Sequence, residues 1–192
     1  DKNFLIPEQE TLIKLGANAT WKTVDGEWWR LITCMLLHYG PLHFLSNMYA
    51  LTRVGMILEN FVGSKRLFFI YFFTGITASL TSTWWHIIGL GVGASGAIFG
   101  LFGLFLALVT TEFVRSDMRA SLIKNISLTI LINLAIGMTF NIDNSAHIGG
   151  LIGGAACGVV LLAPRHRRFP MWASWATPIA VGAAAFLIAY LS

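Results

Sequence analysis

Long uncharged stretches alternate with short charged ones along most of this 192-residue chain. Leu67 to Thr111 holds 45 residues without Asp, Glu, Lys or Arg, Asn125 to Ile142 holds 18, Asn144 to Pro164 holds 21 and Phe169 to Ser192 holds 24. A membrane span needs about 20 mostly apolar residues at about 1.5 Å rise each. The first stretch therefore makes two spans with a break near His86–Gly93, and each of the others makes one. Leu31 to Thr52 is also uncharged, at 22 residues, but Gly40-Pro41 interrupts it. Gly suits the end of one helix and Pro the first turn of the next. The pattern predicts a short interfacial helix over 28–39 and a span from Pro41 to about Val62 that carries Arg53 and Glu59. Six spans follow, over about 41–62, 67–86, 94–112, 122–140, 145–163 and 172–191.

Composition agrees with that pattern. Hydrophobic residues are 56% of the chain and charged ones 11%, where soluble domains carry about 25% charge. A soluble domain of this size could not hide so much apolar surface. Disorder is excluded for most of the chain, and two cysteines make no disulfide scaffold. The fold class is therefore all-α, a polytopic transmembrane helical bundle. It divides into an outer loop with interfacial helices (1–40), a core of spans (41–163), and a basic loop with an added C-terminal span (164–192).

The +4 net charge is mainly a topology signal. Lys65, Arg66, Arg115, Arg119, Lys124, Arg165, Arg167 and Arg168 fall in the loops after the first, third and fifth spans. The opposite side holds Lys2, Lys14, Lys22 and Arg30, spread among acidic residues. Positive loops face the cytoplasm, so the N-terminal segment and the C-terminus are expected outside. Basic residues in short juxtamembrane loops make no nucleic-acid footprint. The chain starts Asp-Lys-Asn without an apolar leader, so no cleavable signal peptide is expected.

Polar residues inside a bilayer point to function. On this topology, four of them share one depth near the outer face. They are His43 and Asn47 on the first span, Ser95 at the start of the third and His147 at the start of the fifth. A serine hydroxyl becomes a nucleophile when a base takes its proton, and histidine is the usual base. Ser95 at a helix N-terminus lies among unpaired backbone N–H groups that suit an oxyanion. His43 and Asn47, four apart, share a helix face and add side-chain donors. Gly96 and Gly100, Gly149 and Gly153, and Gly150 and Gly154 are spaced for close helix approach. Each feature alone has an ordinary packing explanation, and the coincidence at one depth favours catalysis. His38, His43, His86 and His147 lack the spacing of a zinc site, and no metal or other cofactor is expected.

At these residues the chain resembles the rhomboid intramembrane serine proteases. The resemblance rests on Trp29-Arg30, His43-x-x-x-Asn47, Gly93-Ala94-Ser95-Gly96 and Ala146-His147-x-x-Gly150-x-x-x-Gly154, in order along the chain. It implies a Ser95–His147 dyad without a carboxylate, and an oxyanion hole from the Ser95 N–H with His43 and Asn47. It implies Phe99 packed on the catalytic histidine, Gly150 and Gly154 against the nucleophile helix, and Glu59 as a buried structural acid. Gly93 and Gly96 support the nucleophile, and Trp29 and Arg30 the outer loop.

The substrates implied are single-span transmembrane proteins cut near the outer membrane face, with the end of the fourth span and the loop before Asp143 gating access. Asp143 itself is expected outside the catalytic set. Set against the family pattern, the first family span is expected to be missing from this sequence and a C-terminal span to be added. The expected location is the bacterial inner membrane. The alternatives are a non-catalytic family member that binds transmembrane helices, and a transporter or channel. The retained Ser95 and His147 argue against the first, and the absence of a convincing inverted repeat argues against the second.

Overall fold

The structure, a computed structural model, describes residues 6–140 and 142–166. Five long helices form the body: α4 (Pro41–Val62), α5 (Ser64–Trp85), α6 (Ser95–Val109), α7 (Ser116–Thr139) and α8 (Asn144–His166). Before them come α1 (Gln9–Leu15), β1 (Asn18–Ala19), α2 (Thr20–Val24), α3 (Arg30–Thr33) and a 3-10 turn, Cys34–Leu36. A second short strand, β2 (Leu90–Gly91), precedes α6. Upper denotes the end of the bundle at which α4 begins.

Three helical stretches, Ser64–Trp85, Ser116–Thr139 and Asn144–Leu161, are long and apolar enough to cross a membrane. α4 is as long as α5 but carries His43, Asn47, Arg53 and Glu59. α6 is apolar yet only 15 residues long. It is buried on most sides, with Leu101, Leu104 and Val109 fully enclosed. A helix apolar all round belongs in the centre of a bundle. α6 indeed packs on α8, α5, α4 and α7. The outward faces stay apolar, as with Leu128, Leu131 and Ile132 on α7, and Trp84, Trp85, Ile87 and Ile88 protrude at the upper end. Tryptophans at a helix end suit a headgroup level. The molecule is a multi-pass helical membrane bundle.

Gly40, at φ 131°, turns the chain into α4, whose first residue is Pro41. That proline needs no N–H partner in the first turn. Two expectations change in the structure. The predicted interfacial helix over 28–39 is broken into α3 and the 3-10 turn. The Cys34 carbonyl accepts the Leu37 N–H at 3.2 Å, which closes the 3-10 turn, and also the Gly93 N–H at 2.9 Å. Glu59 is exposed, and it lines a shallow pocket with Ser64, Tyr71 and Leu101 near the lower end of α4. So close to the helix end the carboxylate can stay hydrated, which avoids the cost of burying it. The sixth expected span, 172–191, lies outside the described residues.

Candidate active site

The site is built by the α6–α8 interface. These two helices run side by side with almost no side chain between them. A methyl group on Gly150 would meet the Gly96 carbonyl, one on Gly154 the Gly100 carbonyl, and one on Gly103 the Leu151 carbonyl. The other glycine face of α8, Gly149 and Gly153, lies on Thr81 and Thr77 of α5. α8 is thus clamped on two sides at backbone distance. Its first turn is held as well: Asp143 accepts the Ala146 N–H at 3.0 Å and hydrogen bonds from Ser82 and Ser145.

That packing brings together residues 52 positions apart. Ser95 Oγ and His147 Nε2 lie 2.9 Å apart, a hydrogen bond of ordinary length. His147 is 4% exposed, and its ring stacks on Phe99 with centroids 4.1 Å apart and planes 1° from parallel. The stack fixes the ring plane so that Nε2 faces the serine. The other ring nitrogen, Nδ1, is buried with no hydrogen-bond partner among the described residues. Asp143, the nearest acid, instead bonds Ser82, Ser145 and Ala146, and lies 3.4 Å from His86 Nε2. Burial raises the Asp143 pKa, but those hydrogen bonds and the His86 charge outweigh it, so the carboxyl is held below its usual value. It is committed to the loop rather than to His147.

The donors beside Ser95 come from α4. His43 Nδ1 accepts the Tyr39 N–H at 3.2 Å. In a neutral ring this leaves the proton on Nε2. That ring packs against the α-carbon of Gly93, where an added Cβ would lie 2.8 Å from His43 Cε1 and 3.8 Å from Ser95 Oγ. Gly93 also holds φ at 123°, a conformation side chains rarely adopt. Asn47 is 6% exposed and donates one amide hydrogen to the His43 carbonyl at 2.8 Å. Its second amide hydrogen is left for another acceptor. Ser95 begins α6, so its N–H belongs to the unpaired first turn.

Sequence reasoning missed the support above the dyad. β1 pairs antiparallel with β2, Asn18 opposite Gly91 and Ala19 opposite Leu90. Asn18 also donates to the Ser79 carbonyl at 3.2 Å and accepts from Thr23 Oγ1 at 2.7 Å. The segment leading into Ser95 is thereby tied to the N-terminal region. Two-residue strands leave no readable alternation, and a lone Asn in a loop gives no signal. Trp29 and Arg30 lie in this support, not at the dyad. Arg30 is 4% exposed and reaches the carbonyls of Ile13 and Ala17 and the Glu27 carboxylate at 2.7, 2.9 and 2.7 Å. The guanidinium also stacks 4.5 Å over Trp29.

An open cleft of about 1980 Å³ runs from the dyad down between α4 and α7, floored by Phe99, Phe102 and Phe105 of α6. α4 and α7 each pack on α6, leaving the space between them open.

A family model described as the rhomboid domain matches residues 25–164. RHOMBOID-like protein 5 of Arabidopsis thaliana is 40% identical over 84% of the chain and 53% of its own length. Rhomboid protease GluP of Bacillus subtilis is 41% identical over 83% of the chain and 31% of its own length. Rhomboid-like protease 2 of Toxoplasma gondii is 33% identical over 82% and 56%. The chain spans about half or less of the length of these relatives.

Proposed function

The chain belongs to the rhomboid family, and from that premise we propose that it is an intramembrane serine endopeptidase acting through a Ser95–His147 dyad. The observation that carries the reading is the 2.9 Å contact between Ser95 Oγ and His147 Nε2 at the upper end of a membrane bundle. Nucleophile and base within hydrogen-bond reach are what acyl transfer requires.

In this reading Ser95 Oγ attacks a peptide carbonyl carbon as His147 Nε2 takes the hydroxyl proton. The carbonyl oxygen becomes an oxyanion, facing the Ser95 N–H, the His43 Nε2–H and the remaining Asn47 amide hydrogen. The C–N bond then breaks, and His147 returns its proton to the leaving amine. Water, deprotonated by the same histidine, attacks the acyl-serine and releases the second product with Ser95 restored. No carboxylate partner is needed, because Phe99 orients the imidazole that an acid orients in a triad. An ionised third member at this depth would also carry a large desolvation cost.

The substrates are single-span transmembrane segments entering from the lipid through the cleft between α4 and α7, with the α7 end and the loop before Asp143 at its mouth. A helix hides its peptide bonds, so the segment must unwind locally at the site. By the loop-charge distribution the upper end faces outward, and in a bacterium the membrane is the inner one.

The test is labelling of the purified, reconstituted protein with a fluorophosphonate. The parent is expected to label at Ser95, and Ser95→Ala and His147→Ala are expected not to. A folded, monodisperse parent that neither labels nor cleaves any transmembrane substrate would overturn the reading in favour of a binding-only family member.

A further inference from the structure

Arg53 stands in α4 where the bilayer is least able to hold a charge. It lies twelve residues after Pro41 and nine before Val62, or roughly 18 Å from the upper end and 14 Å from the lower at 1.5 Å per residue. With a hydrocarbon core of about 30 Å, both headgroup layers are distant. Its side chain lines the cleft. Among the described residues it has no hydrogen-bond or ion-pair partner. Glu59, the other acid of α4, is six residues away and turned to a different pocket. Charged residues in spans normally face a polar interior and are paired.

The opposite wall of the cleft is polar at the same level. Asn125, Thr129 and Asn133 of α7 line it at four-residue spacing, on one helix face. The Thr129 hydroxyl donates to the Asn125 carbonyl at 2.9 Å, and Asn133 donates to the Thr129 carbonyl at 2.8 Å. The Thr129 oxygen, the Asn133 side-chain carbonyl and the second Asn133 amide hydrogen are left facing the cleft. The cleft therefore offers one cation and a set of hydrogen-bonding groups in a region whose remaining lining includes Val54, Ile57, Phe102 and Phe105.

We propose that Arg53, faced by the Asn125–Thr129–Asn133 stripe, is a specificity site that takes an acidic side chain on the membrane-embedded part of the substrate helix. The proposal rests on the protease reading and names its substrate class. The position follows from the depths. Arg53 lies six and ten residues below Asn47 and His43, so a helical substrate places its acid roughly six to ten residues from the scissile bond. Extended residues near the cut, at about 3.3 Å each, shorten that to as few as three. A charge pair formed in the low-dielectric cleft is strong, and a substrate Lys at that level faces a like charge. A lipid phosphate is a poor occupant, being confined to the distant headgroup layers.

The experiment uses the full chain in liposomes with one cleavable transmembrane substrate. Glu, Gln, Lys or Leu is placed in turn at each of positions three to ten on the embedded side of the cut. The parent is expected to cleave the Glu form at least tenfold faster than the Lys form at one or two positions of helical spacing. Arg53→Glu is expected to reverse that order there, read as the Glu/Lys ratio within each variant. Fluorophosphonate labelling reports an intact dyad in each variant, and Arg53→Met, expected to erase the Glu/Lys ratio, serves if the reversal variant does not fold. Cleavage of the whole panel with no Glu preference, or a preference unchanged in Arg53→Glu and Arg53→Met, overturns the proposal and leaves the protease reading intact. Absence of both cleavage and labelling in the parent overturns the protease reading, and this inference with it.

Discussion

Gly154→Ala is expected to disable the dyad while leaving the helices folded. The added methyl would lie 2.5 Å from the Gly100 carbonyl carbon, where ordinary contact begins at 3.4 Å. The obstacle is backbone, so no side chain can rotate away, and the two helices must part by ~1 Å in a close-packed interior. Inserting a methyl into a packed interface costs about 1–3 kcal/mol. The chemistry is more sensitive. Ser95 and His147 sit on these same two helices at 2.9 Å, and a further ~1 Å removes their hydrogen bond. A misplacement of ~1 Å can cost ~100-fold in rate. The assay is the second-order rate of fluorophosphonate labelling, with thermal unfolding of the same sample. Gly55→Ala is the control, since nothing lies within 4 Å of its added methyl; it should label at the parental rate and gain up to ~1 kcal/mol from helix propensity. A folded Gly154→Ala protein that labels as fast as the parent would show that backbone contact does not set the dyad distance.

Arg30→Met should lower stability by about 1–3 kcal/mol by removing the buried guanidinium's hydrogen bonds to the Ile13 and Ala17 carbonyls, which keep only the Gly16 and Ala19 N–H groups, while Glu27 keeps Lys22; an unfolding midpoint equal to the parent's would count against this. For Asp143, whose folded pKa is held down, the stabilising contribution is fully present above the unfolded value of about 4 and is lost as pH falls through the folded one. Below about pH 4 the parent should lose more stability than Asp143→Asn, and parallel acid-denaturation curves would refute the assignment.

The spans were legible where uncharged length and punctuation coincide. Gly40-Pro41 marked the start of α4, and the helix runs over 41–62 as the pattern predicts. Ser95, His147, His43 and Asn47 were legible because alternating spans put their helix ends at one level, and the structure brings the first two into contact. The glycine spacings foretold close approach, and Gly150/Gly154 and Gly149/Gly153 prove to serve different neighbours, α6 and α5. Other features depend on tertiary partners without a local signature. Periodicity says nothing of the Asn18–Gly91 pairing. Nor does it show that the Cys34 carbonyl, at the end of α3, is shared with Gly93, 59 residues further on. Arg53 reads as one charge in a span, and only the open space between α4 and α7 shows that it faces a cleft.

The β1–β2 pair gives Ser95 a second anchor, outside the long helices. Neighbouring residues in a strand are about 3.3 Å apart, more than the length of the Ser95–His147 contact. A slip of one register step between Asn18 and Gly91 would therefore displace the segment entering Ser95 by more than the dyad's whole working distance. The short N-terminal strand acts as a gauge block: the position of Ser95 is measured from it. Damage to residues 18–19 is then expected to register first as a change at Ser95, ahead of any loss of the helices.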